Sequence, residues 1–181
     1  MPHTMKKFLF SMLLCGALFC FTSCENGYTE CTPYLQFSYF LHNPYIVNDT
    51  IHSQDTLYVT AVSNGYQLDT IALGDSVCFT VGFGSAYNYL TKIHIDYDTT
   101  KVYMRAKIAA TDYTTLFDTV QSDPSRMQFV PKIACNYISF PVYYTTRKKG
   151  NIDFTVVCES DSKYSPISYY IVQPCFNEDD L

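Results

Sequence analysis

Tryptophan is absent from this chain of 181 residues, so its aromatic surface comes from phenylalanine and tyrosine alone. Also missing is any sustained 3.6-residue spacing of apolar side chains with caps at its ends, which argues against helical bundles and α/β folds. No HExxH, GxSxG or P-loop occurs, so the local signatures of zinc proteases, α/β-hydrolases and P-loop NTPases are excluded. Gly82-Phe83-Gly84 opens like a dinucleotide loop, but Tyr87 stands where the third glycine belongs and no helix follows. There is no CxxC and no metal-ligand spacing; His42, His52 and His94 are each isolated. No cofactor is expected. Basic residues are outnumbered, 12 Lys+Arg against 17 Asp+Glu for a net charge of −5, which argues against nucleic acid and an anionic membrane face as partners. Internal repeats and low-complexity linkers are lacking too.

What is present is strand-forming composition, rich in Phe, Tyr, Thr, Val and Ile. Alternating runs predict strands over 34–40, 56–63, 66–73, 76–83, 89–97, 101–109, 137–146, 152–159 and 166–172. Asn64-Gly65 between two such runs predicts a hairpin, since both residues tolerate positive φ. Residues 110–135 are the least regular stretch, with a turn at Asp123-Pro124-Ser125 and a short edge strand at 127–130 before Pro131. About nine short strands 8 to 15 residues apart predict an all-β fold, an antiparallel two-sheet sandwich of immunoglobulin-like type. A closed β-barrel is the alternative.

The N-terminus carries a different kind of signal. Lys6 and Lys7 precede fourteen almost unbroken apolar residues, Phe8 to Phe21, followed by Thr22-Ser23-Cys24. This run is short for a membrane span, which needs about 20 residues, and reads as an export leader. The leader and its cysteine resemble the lipobox of bacterial lipoproteins, with Phe21 in place of the usual Leu or Val. That resemblance implies cleavage before Cys24 and lipidation there, and so a membrane partner reached through a lipid anchor. Release of a soluble secreted chain is the alternative. The expected organisation is a lipoprotein signal peptide over 1–23, a lipidated N-terminus and tether over 24–33, a β-sandwich over 34–176, and an acidic tail over 177–181. The mature 158 residues carry 10 Lys+Arg and 17 Asp+Glu, and suit one domain.

Lipidation of Cys24 leaves Cys31, Cys78, Cys135, Cys158 and Cys175, an odd number that cannot all pair internally. Strand parity argues against a Cys78–Cys158 bridge between sheets. Cys31 with Cys175 is the pairing considered.

No catalytic residues and no metal ligands are assigned, and the chain is expected not to be an enzyme. His94 beside Asp96 is the best acid–base pair available, and a solvated strand face accounts for it. Asp96 and Asp98 could share a Ca²⁺, though such an ion wants six or more oxygens. Arg147-Lys148-Lys149 reads as a solubilising hairpin tip. The tripeptide Asp-(Ser/Thr)-apolar or Thr recurs at residues 49, 55, 69, 75, 98 and 118. It resembles the O-glycosylation acceptor of Bacteroidetes envelope proteins, which implies sugars on Thr50, Thr56, Thr70, Ser76, Thr99 and Thr119. A turn-ending aspartate before a β-branched strand residue produces the same pattern. Tyr87, Tyr89, Tyr97 and Tyr103 cluster around a middle hairpin as a possible binding patch, with Tyr143, Tyr144, Tyr164, Tyr169 and Tyr170 around the last.

Taken together, leader, lipobox, aromatic strands and tripeptides look like the small lipoproteins of the Bacteroidetes. The resemblance implies a non-catalytic binding or scaffold module of the cell envelope, held at the outer membrane and engaging a protein or glycan. An assembly subunit that pairs through an exposed edge strand is the alternative; an unrecognised hydrolase is less expected.

Overall fold

A computed structural model describes residues 30 to 177 and Asp179. The leader, Cys24, the tether up to residue 29 and most of the acidic tail lie outside the described residues. In chain order the strands are β1 (Tyr34–Phe37), β2 (Leu41–His42), β3 (Tyr45–Val47), β4 (Thr50–His52), β5 (Asp55–Thr56), β6 (Val59–Val62), β7 (Gly65–Leu68), β8 (Ile71–Ala72), β9 (Ser76–Gly84), β10 (Leu90–Tyr97) and β11 (Val102–Ala106). A helix α1 (Ala110–Leu116) and a 3-10 turn (Pro124–Arg126) follow, then β12 (Gln128–Phe129), β13 (Tyr137–Thr146), β14 (Gly150–Ser160) and β15 (Ile167–Phe176).

All but β3 and β4, which pair with each other as a separate hairpin, form two packed sheets. The first runs β11-β13-β9, with β1 and β2 sharing the far side of β9 and β5 outside β2. The second runs β12-β10-β14-β15, with β7 and β8 sharing the far side of β15 and β6 outside β7. Neither sheet closes on itself, so the fold is a sandwich rather than a barrel. The long strands alternate cleanly: Val77, Phe79, Val81 and Phe83 of β9 face Ile152, Phe154, Val156 and Cys158 of β14 across a dry core. Phe79 stacks on Phe40 at 4.8 Å and on Phe154 at 5.9 Å between ring centroids. A second aromatic group closes the other end, with Phe129 lying 5.1 Å from Phe140 and 5.2 Å from Phe117. Each such pair adds about 0.5–1.5 kcal/mol beyond its buried area.

Several expected elements are cut or redirected. The run 56–63 is not one strand. Leu57 N–H donates to Phe40 in the first sheet and Tyr58 accepts from Asp69 in the second, so the chain changes sheets there. The run 66–73 divides into β7 and β8, both parallel to β15, so the sandwich is not wholly antiparallel. Their break at Asp69-Thr70 lies opposite Pro174, which has no N–H to offer a neighbour. β15 continues through that proline to Phe176 instead of ending at Val172. Pro141 behaves alike in β13, standing opposite Lys107 just beyond the end of β11.

The hairpin before β7 turns on Ser63-Asn64, with Asn64 at φ 60°, one residue earlier than expected. Gly65 already belongs to β7, where a Cβ would lie 1.8 Å from the Tyr170 carbonyl oxygen. β10 and β11 are not a hairpin at all; they belong to different sheets and the turn at 98–100 arches between them. A bulge between Leu90 and Lys92 puts Leu90 in the core with Ile93 and Ile95, contrary to strict alternation. The helix at 110–116 was not expected, since seven residues are too few to show a period. Tyr113 and Leu116, three apart, pack it onto the core.

All five cysteines of the described chain are unpaired. Cys31 binds Asn88 beside the start of β10, whereas Cys175 pairs with Gly150 at the far end of β14. The two stand at opposite ends of the sandwich, so the bridge considered between them is not formed. Parity holds for the other pair: Cys158 faces the core, and Cys78 lies beneath Tyr143 on the outer side of β9.

Candidate functional site

The outer face of the first sheet presents alternate residues of its strands in rows. Arg105 lies beside Tyr143 and Cys78 in one row, and Tyr103 beside Thr145 and Ser76 in the next. Over this face stands the β3–β4 hairpin, whose turn residues Asn48 and Asp49 both have positive φ, 48° and 59°, as a tight hairpin requires. Pro44, Tyr45 and Ile46 form one wall of a groove of about 400 Å³, and Ser76, Tyr103, Arg105, Tyr143 and Thr145 form the rest. Tyr45 stacks on His52 at 5.7 Å, stiffening that wall. On the other side of the Tyr103–Arg105 ridge lies a second groove of about 360 Å³, bounded by Tyr97, Thr99, Pro124, Ser125 and Arg147.

Both arginines rest on tyrosine rings. The Arg105 guanidinium carbon lies 5.3 Å from the Tyr143 ring centre, and that of Arg147 lies 5.0 Å from the Tyr103 ring centre, within cation–π range. Burial and the adjacent Cys78 push the Tyr143 phenol up to about 12, against the pull of Arg105. It therefore stays neutral, with its buried oxygen beside the Cys78 thiol. Burial also raises the Cys78 thiol, which is not a nucleophile in waiting. The site offers cations, aromatic faces and hydroxyls, which suit binding rather than bond cleavage.

The four tyrosines grouped by sequence do not form one patch. Tyr97 and Tyr103 line the second groove, but Tyr87 and Tyr89 lie at the opposite end of β10, where Tyr89 N–H donates to Asp161. Tyr144 is not exposed; it is a core residue whose hydroxyl donates to Gln173. Tyr169 packs on Phe37 and Tyr66. Of the hydroxyls in the Asp-Ser/Thr tripeptides, Thr50, Thr56, Thr70, Thr99 and Thr119 are on exposed residues, while Ser76 is half-buried and bonded to Thr145 at 2.9 Å. The aspartates have turn work to do: Asp55, Asp69, Asp75, Asp98 and Asp118 each accept a main-chain N–H.

His94 lies between Asp96 at 3.4 Å and Glu159 at 3.9 Å, with only 13% of its side chain exposed. Asp96 and Asp98 take separate partners, His94 and Thr100, rather than one shared position. Of the basic tip, Arg147 leans back onto Tyr103 and so belongs to the groove. Arg105 and the whole β3–β4 wall join the site without having been expected there from sequence. Asn48-Asp49 between Tyr45-Ile46-Val47 and Thr50-Ile51-His52 was the available signal.

No family model matches the chain, and no curated protein does. Among solved structures it is similar to the secreted serine protease VesC from Vibrio cholerae, at 8% identity over 66% of this chain and 23% of that one, TM-score 0.38. A conjugative transposon lipoprotein from Bacteroides eggerthii matches at 15% identity over 64% of this chain and 93% of that one, TM-score 0.34. The C-terminal domain of the AgI/II polypeptide BspA of Streptococcus agalactiae matches at 15% over 79% and 50%, TM-score 0.34. The chain thus spans about a quarter of the protease and half of the streptococcal domain. At these scores nothing about activity or partners passes from those proteins to this one.

Proposed function

We propose that the chain is a non-catalytic binding or scaffold module of the bacterial cell envelope, lipid-anchored through Cys24 at the outer membrane and engaging a partner across the outer face of its first sheet. The observation that carries this reading is the pair of grooves at that face, where two arginines and four tyrosines converge from β3, β10, β11, β13 and the β13–β14 tip. A sandwich that only filled space would leave such a face flat and mixed in charge. A photo-reactive phenylalanine at position 103, compared with one at exposed position 164, tests it in native membranes. Adducts specific to position 103 support the reading; equal labelling, or none, refutes it. Growth on labelled palmitate tests the anchor, and label that persists in Cys24→Ser overturns Cys24 as its site.

A specific feature favours assembly through an edge strand as the second reading. β6, Val59-Thr60-Ala61-Val62, pairs among the described residues only with β7, is exposed along its whole length and carries no charge or proline. Tyr58 accepts from Asp69, so alternate positions Val59 and Ala61 turn their main-chain groups outward. An unprotected edge of this kind invites another strand. Ala61→Pro removes an outward N–H without touching β7, and is expected to abolish any complex formed this way; a complex that survives it is formed elsewhere.

A further inference from the structure

We propose that the paired grooves take an anionic glycan, a polysaccharide bearing carboxylate or sulfate groups on successive sugars; this rests on the reading of that face as the binding surface. The chain has 17 Asp+Glu and 12 Lys+Arg, yet among the described residues no acidic side chain lines either groove, while two arginines do. Lys92, Lys101, Arg126 and Lys163 each have a carboxylate partner. Among the described residues Arg105 and Arg147 have none, and rest instead on Tyr143 and Tyr103. With a ring on one side and no carboxylate beside it, each guanidinium keeps N–H donors for an anion. The ring contact also holds the fork in place, so less side-chain freedom is lost when an anion binds.

The floor of the first groove favours a glycan over an extended peptide. The second groove borders the edge of β11, unpaired among the described residues, where Val102, Met104 and Ala106 turn main-chain groups outward, so polyglutamate is the probe that judges a peptide there. The floor of the first groove is a sheet face, whose main-chain groups are used within the β9–β13–β11 ladders. An extended peptide would find no backbone to pair with there. What remains is side-chain chemistry: two guanidinium forks, the Ser76 and Thr145 hydroxyls, and the Tyr45 ring on the rim. The rows holding Tyr103 and Arg105 are two residues apart, about 7 Å along the strand, so neighbouring charged sugars of one chain can reach both arginines.

The test uses full-length protein in detergent against immobilised polygalacturonate, chondroitin sulfate, neutral dextran and polyglutamate. Binding is expected to at least one acidic glycan, and to weaken as salt rises from about 50 to about 500 mM. Arg105→Gln and Arg147→Gln should each lower affinity about tenfold, as loss of one charge-assisted hydrogen bond does. Lys163→Gln, at the other end of the sandwich, should change nothing, and matched melting temperatures show that each variant folds. Dextran bound as well as the acidic glycans, or arginine variants without effect, overturns the anion inference while leaving the binding surface intact. Polyglutamate bound more tightly than either acidic glycan overturns it in favour of a peptide. No binding to any probe also overturns it, and cross-linking at position 103 then judges the surface separately.

Discussion

Replacing Tyr144 by phenylalanine deletes one oxygen atom from the middle of the sandwich. That hydroxyl donates to Gln173 Oε1 at 2.7 Å, across the gap between β13 and β15, and both residues are essentially inaccessible to water. Burial holds the phenol well above its ordinary pKa, so it donates at every working pH. The Gln173 amide in turn donates to the Asp69 carbonyl, at the break between β7 and β8. Tyr144→Phe therefore strands one buried acceptor, a cost of about 2 kcal/mol, and lowers the melting temperature by about 4–8 °C for a domain of this size. Gln173→Met strands two groups, the phenol and the Asp69 carbonyl, and costs about 4 kcal/mol. In the double variant the phenol no longer needs a partner, so it should be more stable than Gln173→Met alone by about 1–2 kcal/mol. Urea unfolding of the four proteins measures the cycle, with an unchanged m-value as the sign that the same surface is exposed. Tyr144→Phe within about 0.3 kcal/mol of the parent, or strictly additive effects, would refute the reasoning.

Gly65→Ala is expected to cost about 3 kcal/mol, at the upper end of overpacking, because its Cβ meets main-chain atoms of Tyr170 that have nowhere to go. Gly74→Ala, with open space but φ 96°, isolates the backbone term, and an equal loss at both sites would sink the steric argument. Asp75 is partly desolvated, which alone would raise its carboxyl, but hydrogen bonds from Asn43, His42 and the Ala72 N–H outweigh that and hold it below the ordinary range. Its folded pKa is thus lower than its unfolded one, so its stabilisation is complete above the ordinary carboxylate range and is lost as pH falls through the folded value. The stability gap between parent and Asp75→Asn should shrink from about pH 6 to about pH 3; a constant gap contradicts this assignment. Burial pushes the Cys158 thiol up to about 12 and raises Cys78 and Cys175 as well. Alkylation of the folded protein near pH 8 should therefore mark Cys31 first and spare those three until denaturant is added. Peptide mass spectrometry reads the order, and Cys158 reacting as fast as Cys31 would be fatal to it.

The long strands were legible because a period of two over nine or more residues has few other readings. β9, β13 and β14 emerged with nearly their observed bounds, and their apolar faces became the core. Interruptions were harder to see, since each depends on a partner strand that the local pattern does not name. Nothing in Thr56 to Ser63 marks the change of sheet at Leu57-Tyr58. Pro174 shows that one edge of its strand must go unpaired, but not that the vacancy would fall at Asp69-Thr70. A proline inside an alternating run is better read as a place where the neighbouring strand stops than as evidence against the strand.

The same reasoning explains why half of the groove was anticipated. Tyr97 and Tyr103 flank one turn, so sequence proximity brought them together correctly. Proximity also placed Tyr87 and Tyr89 with them, and failed, because β10 runs its full length between the two pairs and belongs to the other sheet. Arg105 and Arg147 are 42 positions apart in the chain, and only the β11–β13 pairing brings their rows side by side. In a sandwich, then, residues from both ends of a connection between sheets share an end of the molecule, while residues at the two ends of one strand never share a site. The chemically interesting neighbours of an edge strand are set by its partner's register, and a site built across three strands stays hidden until those registers are known.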